Sequence, residues 1–194
     1  VTDISNNNTI FSTNNVYRKG AWVLHQLRHI VGDATIFQIM RDYRTAPEYS
    51  RATWQDFAAS ASQTYGHDLT WYINQAVMRT GAPAYSLAWT NRSIGGQNYV
   101  VGNIRQTQTA SPFRFPIDIR VTTPSGQTTT PVWNDQVRDD FILPANGTAS
   151  LVELDPSPWI LRGTNTTGTY AASLTASPTT ISRTGGTVTF SLAG

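Results

Sequence analysis

Two hydrophobic periods divide this chain of 194 residues. Up to Pro83 apolar positions recur every three to four residues, and beyond it they alternate. With Leu24 set to zero and about 100° per residue, Val16, Gly20, Val23, Leu27, Ile30 and Val31 fall between about 240° and 0°, one apolar stripe of a helix. Ser12 or Thr13 is expected to cap that helix and Gly32 to close it. Asp33 should cap a second helix running to Arg44, with Ile36, Phe37, Ile39, Met40 and Tyr43 apolar. Thr53-Trp54-Gln55-Asp56 has the form of a capping box for a third helix that stops at Gly66. Asp68 then caps a fourth, with Leu69, Tyr72, Ile73, Ala76 and Val77 on its buried side, ending at Gly81 and Pro83. The short connections between these helices predict antiparallel or angled packing of neighbours.

Past Pro83 the period is two. Tyr85 to Trp89, Tyr99 to Gln106, Phe115 to Thr123, Thr128 to Trp133, Val137 to Leu143 and Ala149 to Leu154 read as strands, with turns at Gly95-Gly96, Pro124-Ser125-Gly126 and Asn146-Gly147. This predicts a small antiparallel Ig-like β-sandwich whose edge is closed by Asp155-Pro156-Ser157-Pro158-Trp159, where two prolines forbid a central strand. Arg162 to Tyr170 reads as a linker, and the stretch from Leu174 onward resembles the opening strands of an immunoglobulin-like module. The expected class is therefore α+β and multi-domain: helices over residues 1–83, the sandwich over 84–162, and a linker with an incomplete β tail over 163–194. Unpaired edges in that tail are expected to pair with strands of other chains.

Composition narrows the function classes. Formal net charge is +2 and 13% of residues are charged, with no basic stripe, so nucleic acid is not an expected partner. No window reaches the roughly 18 apolar residues of a membrane span. Cysteine is absent, which excludes disulfides and thiol catalysis. Lys19 is the only lysine, and Thr, Ser, Asn and Gly abound, a balance that points to an exported bacterial protein, secreted or periplasmic.

Chemistry concentrates between Val16 and Asp33. His25 and His29 stand four apart, the spacing with which H-E-x-x-H grips zinc from one helix face. Here they fall near 100° and 140°, opposite the apolar stripe with Arg18, Trp22 and Gln26. Gln26 also stands where the motif needs a glutamate, and an amide cannot accept the proton that a general base must take. The pair is therefore expected to be two polar-face histidines, with no metal ligand in the chain. Tyr17 falls near 20°, at the edge of the stripe, where its ring can pack while its hydroxyl stays available.

A tyrosine, lysine and glycine opening a helix, then an apolar stretch ending in Leu-Arg and Gly-Asp, appear here as Tyr17, Lys19-Gly20, Leu27-Arg28 and Gly32-Asp33. This block resembles the region after the zinc site of gluzincin metallo-aminopeptidases of the aminopeptidase N type. The similarity continues through Phe37 and Tyr43, Ala52-Thr53 with Asp56-Phe57, Gly66-His67-Asp68-Leu69 and Gly81-Ala82-Pro83, and in the sandwich through Gln106, Phe115 to Ile119 and Asp155-Pro156. It implies that Tyr17 is catalytic, donating a hydrogen bond to the oxyanion formed when the scissile carbonyl of a peptide substrate is attacked. The family's zinc motif and its G-x-M-E-N substrate motif are missing, and Glu48 and Glu153 are the only glutamates. The resemblance thus implies a C-terminal fragment whose full-length parent carries the zinc, and a chain inactive alone. The alternative is a non-catalytic helical and β-sandwich interaction module in which Tyr17 only packs.

Overall fold

The computed structural model describes residues 11, 13–45, 51–163, 165–169, 173–177 and 189–193. They form an α+β protein with two compact units, and the helical one comprises the described residues up to Ala82 together with Phe113–Pro116 and Pro158–Leu161. A π-helical turn, Thr13–Arg18, runs directly into α1, Lys19–Val31. Thr13 is the first residue of that turn rather than a cap, and Ser12 lies outside the described residues. Gly32 closes α1 with φ at 83° and its N–H on the Arg28 carbonyl at 2.8 Å, a backbone angle that favours glycine.

The second helix, α2, spans Asp33–Thr45. Asp33 does not cap it. It is the first helical residue, and its carboxylate takes the Arg28 guanidinium at 2.7 and 2.6 Å, while the Gly32 carbonyl accepts the Ile36 N–H. Ile36 and Ile39 are buried, whereas Phe37 and Met40 are exposed. The expected capping box opens α3, Trp54–Tyr65: Thr53 Oγ1 accepts from Asp56 N at 3.3 Å and Asp56 Oδ2 accepts from Thr53 N at 2.8 Å. Gly66, in the left-handed conformation, ends it. Asp68 is not the cap of α4, Thr70–Met78: Leu69 holds that position without a side-chain cap, and Asp68, one residue earlier, accepts the Thr70 N–H on Oδ1 at 2.9 Å. Leu69, Tyr72, Ile73, Gln75 and Ala76 are buried there, but Val77, expected on the same face, is exposed.

Phe113–Pro116 joins this unit through specific contacts. The Gln75 side-chain amide clamps the Arg114 backbone, Nε2 donating to its carbonyl at 3.1 Å and Oε1 accepting its N–H at 2.8 Å. The Arg79 guanidinium lies 3.9 Å from the Phe113 ring centre and that of Arg114 4.6 Å from Trp71.

The second unit holds the strands, apart from Phe115 and Pro116. Among the described residues the strands make a larger sheet of four and a smaller one of three. β1, Tyr85–Ile94, and β2, Gln97–Gln106, form a hairpin from Tyr85 opposite Gln106 to Ile94 opposite Gln97, closed by Gly95 and Gly96, both at positive φ. β2 also pairs with β5, Arg138–Ala145, in antiparallel register. The smaller sheet is built from β3, Phe115–Thr123, β4, Gly126–Asn134, and β6, Leu151–Leu154. The expected linker contains a strand: β7, Asn165–Thr169, pairs with β1 in parallel, so the larger sheet is mixed rather than antiparallel. Threonines suit an extended chain, and the open edge of β1 supplies the backbone partners that a lone segment lacks. β8, Ser173–Ser177, and β9, Thr189–Ala193, pair antiparallel with each other.

A polar chain, buried at Gln106 and Asn134, ties the two sheets. Gln108 Nε2 donates to Gln106 Oε1 at 2.6 Å, Gln106 Nε2 to Asn134 Oδ1 at 2.7 Å, and Asn134 Nδ2 to Asp139 Oδ2 at 2.7 Å. Each buried amide therefore finds the partners its burial demands.

Candidate functional site

Tyr17 stands in the last turn before α1, and 60% of it is exposed. The sequence placed its ring at the edge of the buried stripe. A π turn closes its hydrogen bonds over five residues, so each residue advances less than in an α-helix and Val16 and Tyr17 swing out of line. No described residue engages the Tyr17 hydroxyl. Its neighbours on the turn make local contacts, Arg18 Nη1 donating to Asn14 Oδ1 at 3.1 Å. Lys19, at the junction with α1, donates from Nζ to the Arg79 carbonyl at the end of α4, 3.2 Å away. One turn later the Tyr72 hydroxyl donates to the Val23 carbonyl at 2.6 Å. Burial raises the Tyr72 pKa, which keeps this phenol a neutral donor.

The histidine pair lies on a half-buried rim of α1. Trp159, from the Pro158–Leu161 segment, lies nearly parallel to both rings, 4.6 Å from His25 and 4.9 Å from His29. His25 Nε2 donates to the Pro158 carbonyl at 3.0 Å, since a carbonyl can only accept. The Arg28 guanidinium reaches the same indole at 5.9 Å and is held there by Asp33, whose carboxylate the Arg28 hydrogen bonds keep below the usual range. Gln26, read as polar-face, is only 6% exposed. The buried face of α1 is thus rotated toward Gln26, Leu27 and Val31, leaving Leu24 at the rim.

Among the described residues none form a set that fits the zinc which the resemblance implies for the longer protein. Both imidazoles are stacked on an indole, one of them with Nε2 committed as a donor, and among the described residues no three of His, Asp and Glu converge. Leu24 and Val77, with Val23, Met40, Tyr43 and Phe57, instead line an open apolar groove of about 430 Å³. Sequence reasoning missed the Trp159 stack, the Lys19 tie and the Gln75 clamp. Only Lys19 carried a signal, as the chain's single lysine.

No protein-family model matches the sequence, and no curated protein does. Among solved structures, the crystal structure of Legionella pneumophila aminopeptidase A in complex with aspartic acid is similar, at 16% identity and a TM-score of 0.68. The match covers 86% of this chain and 19% of that one, so the chain spans about a fifth of its neighbour's length. The matched part of this chain therefore shares the fold of a segment of that structure.

Proposed function

We propose that this chain is the C-terminal part of a zinc-dependent aminopeptidase of the gluzincin, aminopeptidase N type, which removes N-terminal residues from peptides. Tyr17 is its contribution to catalysis. The phenol donates to the oxyanion of the tetrahedral intermediate, an interaction worth a few kcal/mol at the transition state and little in the ground state. The observation that carries this reading is the open Tyr17 hydroxyl at the head of α1, in a chain with an aminopeptidase-like fold. The metal ligands and the carboxylate base belong to other residues of the longer protein, because His25 and His29 are held on Trp159. In this reading the two sheets are the faces of an Ig-like sandwich, β8 and β9 begin a further Ig-like module whose open edges take strands of other chains, and the protein is exported.

The isolated chain should show no aminoacyl-arylamide hydrolysis, with or without added zinc. In the longer peptidase, Tyr17→Phe should lower kcat by about 10²-fold with folding unchanged. A kcat close to wild type would remove Tyr17 from the mechanism. Stoichiometric zinc on the isolated chain that is lost in His25→Ala would overturn the exclusion of the histidine pair.

A further inference from the structure

We infer that Lys19 is the positioning residue that aims Tyr17, an inference that rests on the catalytic reading of Tyr17 and deepens it. Among the described residues, long-range hydrogen bonds fasten α1 to α4 at two places. They are Lys19 Nζ to the Arg79 carbonyl at 3.2 Å and the Tyr72 hydroxyl to the Val23 carbonyl at 2.6 Å. Lys19 and Val23 are one turn apart and share a face, and their partners lie at opposite ends of α4, so α1 is held at two points rather than pivoting about one. The Lys19 bond is the last before the chain enters the π-helical turn. Among the described long-range side-chain hydrogen bonds of α1 it is the one nearest Tyr17.

The chemistry of the contact suits a fixed strut. The final carbonyls of α4 have no partner within the helix, and an ammonium is favoured at that end by the helix dipole. Lys19 and Arg79 are half-buried, so the bond is shielded from competing water. Arg79 is itself held, its guanidinium 3.9 Å from the ring centre of the buried Phe113. The residue that receives Lys19 therefore does not drift. The change from π to α winding falls at Lys19, and the phase of that change sets the direction in which the side chain two residues earlier points. Losing the bond lets the junction move along the helix and turns the phenol.

The test compares Lys19→Met, which keeps the stem and removes the donor, with Lys19→Arg, which restores a cationic donor. The chain is labelled with 3-fluorotyrosine, and the Tyr17 line among the eight tyrosines is assigned from Tyr17→Phe. Lys19→Met should shift or broaden the Tyr17 fluorine line while the lines of buried Tyr72 and Tyr85 stay in place, and Lys19→Arg should bring it back. In the longer peptidase Lys19→Met should lower kcat by about tenfold or more with KM within about twofold, and Lys19→Arg should recover most of it. An unchanged Tyr17 line in Lys19→Met, or a kcat loss that Lys19→Arg does not relieve, overturns the role of Lys19. If Lys19→Met disturbs Tyr72 and Tyr85 as well, the residue serves folding and the inference also fails. A Tyr17→Phe peptidase at full rate, alongside a fluorine response that follows Lys19, defeats the catalytic reading and leaves the strut.

Discussion

Tyr17, Gln26 and Gly102 show how far a single position can be read before its surroundings are known. The helical phase of Tyr17 came from the sequence, but its exposure comes from the π turn that precedes α1. Gln26 looked polar-face because its nearest phase neighbours are charged or aromatic, and it is buried because the apolar face of α1 extends past 200°. Gly102, unremarkable in sequence, sits in central strand β2 where a Cβ would collide with the Ala88 carbonyl and come within 2.7 Å of the Phe141 ring. Both neighbours belong to paired strands and cannot move aside freely. Gly102→Ala should therefore cost about 1–3 kcal/mol, read as a drop in urea midpoint with the slope unchanged. An unaltered midpoint would mean that the sheet opens at that point.

At the scale of the element, the third helix was the most legible. Thr53, Asp56 and Gly66 are local signals, and the capping box and left-handed terminus need no distant partner to form. Thr53→Ala should lower stability by about 1 kcal/mol, measured by thermal or denaturant unfolding. Hydrogen bonds from the Thr53 side chain and backbone hold the Asp56 carboxyl below its usual pKa, and those from Thr70 do the same for Asp68. Glu153 is likewise depressed, by its hydrogen bonds with Arg120 at 2.8 and 2.9 Å. A depressed folded-state pKa contributes stability that is complete above the unfolded value and lost as pH falls through the folded one. Tm should thus stay level from about pH 7 to 5 and fall below about pH 4. Asp56→Asn should lower Tm near neutrality and lose most of that effect near pH 3. An equal effect at both pH values would show that the charge of Asp56 is not what supports α3. The β7 strand stands at the other extreme. Its glycine and asparagine read as a linker, and only the free edge of β1 makes it a strand.

At the scale of the molecule, one ion pair closes the route between β6 and β7. Asp155, its side chain fully buried and its φ at 49°, accepts from Arg162 Nε at 3.0 Å, and its N–H binds the Asp118 carbonyl at 2.7 Å. Arg162→Met would leave that carboxylate buried without its cation, a change that costs about 3–5 kcal/mol. A chemical-denaturation loss below about 1 kcal/mol would mean that Asp155 is neutralised or rehydrated instead. Between the paired residues the chain gives Pro158–Leu161 to the helical unit, where Trp159 meets His25 and His29. Nothing in the sequence around the histidines could have disclosed a partner 130 or more positions away, just as nothing near Lys19 disclosed the Arg79 carbonyl. What the sequence determined by itself was the switch from helical to alternating period, the glycine-closed hairpin of β1 and β2 and the α3 cap, all consequences of residues a few positions apart. The tertiary structure alone decided the parallel docking of β7, the Trp159 stack, the burial of Gln26 and the direction of Tyr17. Those depend on which distant segments meet, and hydrophobic period records only that a face must be covered.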